Sequence, residues 1–219
     1  IALLRQDELG PALKRLARVK HVQRQMIEQW AVLATLTPSE YAQFRGALGK
    51  SSGFQSAQYR TLEFLLGNKN PAMVAVFRHD PETAAQLDRD LHAPSLYDEF
   101  LAYLARRGYP IPARLLERDV TAPHTRDDEL VRIFTAVYAD PERQWDVYET
   151  CEELVDIEDT FQTWRFRHLK TVERIIGYKR GTGGSSGVAF LNRALSLTFF
   201  PELFAVRTEI GADDVKDLP

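Results

Sequence analysis

The stretch FQTWRFRHLKTVERI, residues 161–175, decides the fold because its apolar side chains recur with the spacing of an α-helix. On both sides of His168, apolar residues stand four and seven positions away, so they share one helical face with the imidazole at its centre. These apolar residues are Phe161, Trp164, Val172 and Ile175. The charged residues that fall on the other sides are Arg165, Arg167, Lys170, Glu173 and Arg174. The stretch predicts an amphipathic helix with a histidine in its dry face.

The same periodicity extends towards the N-terminus and covers residues 141–176, which is about ten helical turns. Helical spacing also dominates the rest of the chain, and the turn signals are spaced for helices rather than strands. Bundles are built from such long helices. We therefore predict an all-α fold, a helical bundle with one very long helix.

Further helices are predicted over residues 11–33, 38–48, 54–66 and 127–139, with two short helices after residue 187. Thr37, Pro38 and Glu40 mark the start of the second of these as a capping box. Prolines divide residues 70–126 into short helices and turns. Three histidines there lie next to turn residues and are predicted to be surface side chains: His79, His92 and His124.

Composition indicates one ordinary globular domain, residues 1–219, with 44% hydrophobic and 27% charged residues. The net charge of −3 does not favour binding to nucleic acid or to an anionic membrane surface. No apolar run in the sequence is long enough to span a bilayer. Cys151 is the single cysteine, which excludes an internal disulfide and favours a reducing compartment, so we expect a cytoplasmic protein. Because Ile1 opens the chain in a helix-like segment without methionine, we expect an N-terminal segment to be missing.

Two interpretations of His168 follow from its surroundings. A histidine on an apolar helical face is commonly a core residue whose nitrogens find ordinary partners. The alternative is an axial haem ligand, which needs a neutral nitrogen and apolar walls.

The long helix also carries an acidic stripe, which we interpret as solvated or facing another subunit because no Glu-x-x-His pair accompanies it. Its members are Glu149, Glu152, Glu153, Asp156, Glu158 and Asp159.

Two other features suggest contacts with a small ligand. Tyr41 and Arg45 lie four residues apart on a predicted helix, where an aromatic neighbour can hold a guanidinium that grips a carboxylate. Alternatively, Glu40 pairs with Arg45 at the surface. The glycine-rich residues 181–187 lack the spacing of a nucleotide-binding loop. Two interpretations remain: a loop that can close on a small anion, and a simple connection between two helices.

Six sequence blocks follow one another along the chain: YAQFR (41–45), SSGFQSAQYR (51–60), EFLLGNK (63–69), WRFRH (164–168), GTGGSSG (181–187) and LTFFPELFAVRTE (197–209). Together these blocks resemble the tryptophan 2,3-dioxygenase family, and the resemblance covers nearly the whole chain. The resemblance implies a b-type haem whose iron is held by His168 and, when ferrous, binds O2 on the opposite side. It implies insertion of both oxygen atoms into the indole C2–C3 bond of L-tryptophan, giving N-formyl-L-kynurenine in tryptophan catabolism, by a homotetramer.

The resemblance also implies roles for individual residues. The substrate carboxylate is expected on Arg45, with Tyr41 as a wall of the indole pocket and Thr182 contacting the ammonium and carboxylate groups. The residues expected around the haem are Ser52 and Gly53 on the distal side, Val172 on the proximal side, and Trp30, Tyr59 and Arg60, the last facing a propionate.

The chain departs from the family pattern in one respect. The family carries a distal histidine in an N-terminal segment, and no histidine here matches it; His21 has no matching motif around it. No catalytic residue is therefore assigned within these residues. Three alternatives remain open: a haem-based sensor or carrier without turnover, a dioxygenase of a substituted indole, and a structural helical interaction module.

Overall fold

The computed structural model describes residues 1–49, 52–179 and 187–211. Within these ranges the regular structure is entirely helical, and no strand occurs. The predicted all-α fold is thereby confirmed. No helix among the described residues has the length and apolar character needed to cross a membrane.

The α-helices, in chain order, are α1 (Ala2–Arg5), α2 (Leu9–Leu33), α3 (Pro38–Arg45), α4 (Ala57–Leu66), α5 (Pro81–His92), α6 (Leu96–Arg106), α7 (Ala113–Leu116), α8 (Asp128–Ala139), α9 (Trp145–Ile175), α10 (Val188–Ala194) and α11 (Pro201–Glu209). Short 3-10 helices span Gly46–Leu48, Gly53–Gln55 and Pro71–Phe77.

Local signals explain several of these boundaries. The predicted capping box is present: the Thr37 side chain accepts from the Glu40 amide, while the Glu40 carboxylate accepts from the Thr37 amide. Gly67 ends α4 with a φ of 110°, a backbone conformation that favours glycine. The long helix begins at Trp145 rather than at residue 141, because residues 141–144 form turns.

The two longest helices, α2 and α9, pack along each other and run in the same direction. Lys20 of α2 pairs with Glu153 at 2.9 Å, and further along the Trp30 ring stacks on His168. The 31 residues of α9 span about 46 Å, so one helix links the centre of the core to the region of His168.

Two apolar clusters form the core of the described residues. The larger joins α1, α2, α6, α8, α9 and α11 and includes side chains with no exposed surface: Phe100, Phe134, Leu154, Phe200 and Leu203. The smaller lies between α4, α5 and the 3-10 helix before α5, and it contains Phe64, Phe77, Leu87 and Leu91. The large cluster holds α9, the helix that carries His168, against its neighbouring helices.

Two surface predictions are wrong. The side chain of His124 is only 3% exposed and contacts Glu202, because the segment before α8 folds over α11. The acidic stripe of α9 is not solvated throughout, since Glu153 and Glu158 are buried. Glu153 receives Lys20, and Glu158 accepts the amide of Phe200 at 2.9 Å, because α2 and the approach to α11 cover more than one face of α9.

Candidate functional site

His168 lies in a seam of aromatic rings between α2 and α9. Its imidazole is half-buried and stacks on the indole of Trp30, with ring centroids 5.1 Å apart and planes inclined by 19°. The Trp164 ring, one helical turn earlier, lies 5.3 Å away. Burial lowers the pKa of His168, so the ring is neutral at neutral pH. Among the described residues, no hydrogen bond engages either imidazole nitrogen.

The aromatic seam continues from His168 towards α4. Trp30 also contacts Trp164 at 5.7 Å, and Trp164 lies 5.4 Å from the ring of Tyr59. The structure therefore brings three predicted site residues, Trp30, Tyr59 and His168, into one connected group. The indole N–H of Trp30 is buried without a hydrogen-bond partner in the described part of the chain. Val172 is half-buried one turn beyond His168.

Arg60 is buried at the start of α4, 4% exposed, and engaged with protein groups. Its guanidinium donates to a carboxylate oxygen of Glu63 at 2.5 Å and to the backbone oxygen of Phe54 at 3.3 Å. It also lies over the rings of Phe54 and Tyr59. Its Nε atom is buried without a partner among the described residues. The role of Arg60 opposite a haem propionate stays a prediction.

Sequence reasoning missed Arg165 and Glu63. Arg165 was expected on a polar side of the helix but is 3% exposed, and it donates to Glu63 at 3.2 Å and to the backbone oxygen of Leu197 at 3.0 Å. Its guanidinium lies over the rings of Phe161 and Phe199. The sequence offered only a weak signal, since Glu63 stands three residues before Leu66 on one face of the predicted helix.

Tyr41 and Arg45 lie on α3, which packs against α9. Both side chains are half-buried, and the Arg45 guanidinium lies over the Tyr41 ring at 5.9 Å. The Tyr41 ring is also held edge-on by Phe44 at 5.3 Å. The predicted pairing of these two side chains on one helical face is therefore present.

The other predicted residues lie in or next to loops. Half-buried Ser52 precedes the 3-10 helix Gly53–Gln55, and its hydroxyl accepts from the Phe54 amide at 3.3 Å. Gly53 is exposed. Thr182 and the rest of residues 181–186 lie outside the described residues, so the contact of Thr182 with the substrate stays a prediction.

Comparison with known proteins identifies the family. A sequence model described as tryptophan 2,3-dioxygenase matches residues 3–91 and 131–210. A protein named tryptophan 2,3-dioxygenase from Kineococcus radiotolerans is 68% identical over 94% of this chain and 72% of its own length. Proteins of the same name from an Arthrobacter species and from Xanthomonas campestris pv. campestris are 65% and 59% identical, over 96% and 98% of this chain and 74% and 72% of their own lengths. The chain therefore belongs to the tryptophan 2,3-dioxygenase family, and its activity is the dioxygenation of tryptophan that this family name describes.

Proposed function

We propose that this chain holds a b-type haem on His168 and, with the iron ferrous, inserts both atoms of O2 into the indole C2–C3 bond of L-tryptophan, giving N-formyl-L-kynurenine. Proteins of this family are generally haem-dependent. The observation that carries the proposal is the imidazole of His168, which is half-buried, has a lowered pKa and lacks a hydrogen-bond partner among the described residues.

The donor set around His168 fits a haem. In the described part of the chain, no group of three His, Cys, Asp or Glu side chains could hold a metal ion. His168 alone would hold the iron of a haem, because the porphyrin would supply the other nitrogen ligands. Cys151 is no competing ligand, because burial raises the pKa of its thiol well above the usual value.

The protein's part at His168 is to keep the ring neutral and oriented. Because burial lowers its pKa, the imidazole offers a lone pair at neutral pH, and stacking on Trp30 limits its rotation. Bound haem would supply the oxygen chemistry, while the surrounding residues bind and orient the substrate. We assign Val172 to the proximal wall, Ser52 and Gly53 to the distal side, and Trp30, Tyr59 and Arg60 to the rest of the haem pocket.

Arg45 is proposed to bind the substrate carboxylate. A guanidinium can donate two parallel hydrogen bonds to a carboxylate, and the Tyr41 ring 5.9 Å from its centre restricts the arginine. Tyr41 would also form a wall for the indole, and Thr182 would contact the ammonium and carboxylate groups. The clamp would fix the indole relative to O2, which contributes to rate through orientation.

We further propose that residues 1–219 act as one domain of a cytoplasmic homotetramer. The exposed apolar side chains of α2 support an assembly: Val22, Met26 and Leu33 are 54, 50 and 51% exposed. The free and buried Cys151 is consistent with a reducing compartment. Light scattering should give four times the chain mass of 25.0 kDa, and cell fractionation should recover the protein in the cytoplasm.

The central experiment records the haem absorption of the purified protein and mixes the ferrous form with L-tryptophan and air. We expect a haem spectrum and formation of N-formyl-L-kynurenine. A haem spectrum with no product from L-tryptophan would indicate a sensor or a substituted-indole substrate. Absence of haem after expression with adequate iron would contradict the role of His168.

The substrate clamp is tested with Arg45→Ala. We expect the haem spectrum to persist and the affinity for L-tryptophan to fall roughly 100-fold, about 3 kcal/mol, because a charged hydrogen-bonded pair is lost. Arg143→Ala removes an arginine whose side chain is 87% exposed and serves as the control. Unchanged affinity in Arg45→Ala would remove the clamp from the mechanism.

A further inference from the structure

A buried ionic bridge connects the helix of His168 to the turn that contains Ser52 and Gly53. At its centre is Glu63 of α4, whose two carboxylate oxygens face different arginines. Arg60 donates to one oxygen at 2.5 Å, and Arg165 donates to the other at 3.2 Å. All three side chains are at most 5% exposed, so water does not compete for these contacts.

Each arm of the bridge ends at a part of the site. Arg60 also donates to the backbone oxygen of Phe54, which directly follows Gly53. Arg165 stands three residues before His168 on α9, so the two residues are about one turn apart on the same helix. The path from Phe54 through Arg60, Glu63 and Arg165 therefore joins the two sides of the proposed haem site.

The bridge depends on arginine geometry as well as on charge. Arg165 donates to Glu63 with one terminal nitrogen and to the backbone oxygen of Leu197 with the other, at 3.2 and 3.0 Å. A lysine ammonium is a point donor on a flexible stem and cannot reproduce this fork. The bridge also carries two guanidinium charges against one carboxylate, so it tolerates no loss of the Glu63 charge.

We propose that Glu63 and Arg165 are positioning residues that hold His168 at a fixed distance and angle from the turn following Ser52. This inference rests on the proposed haem function. The two residues act through the backbone of α9 and through Arg60, and neither needs to touch the substrate or the haem. Groups hydrogen-bonded to a metal ligand commonly alter metal affinity when they are changed, although they are not ligands themselves. Glu63 and Arg165 act one step further out, through the helix that carries His168.

The test compares Arg165→Lys with Arg118→Lys. Arg118 is a matched control, since it donates to the Asp98 carboxylate at 2.7 Å and to two backbone oxygens, and its side chain is 13% exposed. Both substitutions keep the charge and remove a guanidinium fork. We expect Arg165→Lys to weaken haem binding about 10- to 100-fold and to shift the iron–histidine stretching band of the ferrous protein. Arg118→Lys should change neither quantity.

A second measurement on the haem-free protein separates this inference from the haem proposal. The rings of Trp30 and Trp164 lie 5.1 and 5.3 Å from the His168 ring, so their ring currents make the NMR shifts of the His168 ring protons sensitive to the position of the imidazole. We expect these shifts to change in Arg165→Lys and not in Arg118→Lys.

The outcomes are distinct. A parent protein without a haem spectrum would overturn the proposed function, while the His168 ring shifts would still test the bridge. Unchanged ring shifts in Arg165→Lys would overturn the positioning role, and so would parental haem affinity and an unshifted iron–histidine band. Equal loss of thermal stability in both lysine variants without these changes would assign the bridge to folding alone.

Discussion

His168 and His124 are both withdrawn from solvent, but their surroundings differ. Trp30 and Trp164 flank the imidazole of His168, and no hydrogen bond engages it among the described residues. His124 is 3% exposed, and its Nε2 atom lies 2.7 Å from Glu202. Glu202 is fully buried and also accepts from the Tyr97 hydroxyl and the Asp127 amide.

The difference separates two uses of a buried histidine. A histidine hydrogen-bonded to a buried carboxylate gives that carboxylate a partner and links two segments of the chain, so the contact stabilises the fold. An imidazole with only aromatic neighbours leaves a nitrogen free for an external partner. The burial that lowers the pKa of His168 keeps that nitrogen unprotonated. The two regions therefore predict opposite phenotypes for the same substitution.

The largest expected effect is that of His168→Ala. We expect complete loss of the haem spectrum and of product formation, because no other described side chain can replace the iron ligand near Trp30. The unfolding free energy of the haem-free protein should fall by only about 1 kcal/mol, since no buried partner is left unsatisfied. Absorption spectra and chemical denaturation measure the two effects. Retention of stoichiometric haem in His168→Ala would contradict the assignment of His168, rather than another residue, as the iron ligand.

His124→Ala should show the reverse pattern. We expect a decrease of about 2–4 kcal/mol in unfolding free energy, because the fully buried carboxylate of Glu202 loses a partner. Haem content and turnover should stay at parental values. His21→Ala, at an exposed position of α2, is the control. If His124→Ala were as stable as this control, the contact with Glu202 would contribute nothing to the fold.

Lys69 extends the comparison to a buried cation. It is 2% exposed, and its ammonium donates to the backbone oxygens of Asp90, Leu91 and Ala93 at 2.8, 3.1 and 2.7 Å. Burial lowers the pKa of Lys69 to about 8. Between this pH and the ordinary lysine pKa of about 10.4, the unfolded chain binds more protons than the folded one. The contribution of Lys69 to stability therefore rises with pH across that window and is constant below it.

The expected size of this rise is at most about 3 kcal/mol, and the three carbonyl contacts reduce it because they favour the charged form. Denaturation of the parent and of Lys69→Met at pH 7.5, 9 and 10 gives the contribution by difference. We expect the parent to gain stability relative to the variant as the pH rises. Parallel stability curves would show that the pKa of Lys69 is ordinary.

The sequence was sufficient for those features that depend on local spacing. Helical periodicity predicted α2 and α9, and the residue types at Thr37, Pro38 and Glu40 predicted the start of α3. The apolar stripe around His168 was likewise visible, because α-helical spacing fixes which residues share a face. The pairing of Tyr41 with Arg45 follows from the same rule.

Features that depend on distant parts of the chain were not predictable in this way. His124 stands beside a proline, as a surface residue does, and only the fold brings it to Glu202, 78 positions away. Arg165 meets Glu63 across 102 positions. Single-sequence periodicity assigns one buried face to a helix, whereas α9 is covered on several sides, and this explains why the burial of Arg165 and Glu158 was missed.

The smallest expected effect concerns Trp30→Phe and gives the finest test of the unpartnered region. The indole N–H of Trp30 is buried without an acceptor in the described part of the chain, so the folded haem-free protein already bears the desolvation penalty of that group. Phenylalanine retains an aromatic ring against His168 and removes the N–H. We therefore expect the loss of packing to be offset in part, with a net change of at most about 1 kcal/mol in unfolding free energy. Calorimetry of the haem-free protein measures this change, and the edge-to-face pair of Tyr138 and Tyr148 offers a control in Tyr148→Phe. A loss well above that value would mean that the N–H does have a partner. The contrast between His124, whose Nε2 atom is paired with Glu202, and the aromatic surroundings of His168 would then not extend to Trp30.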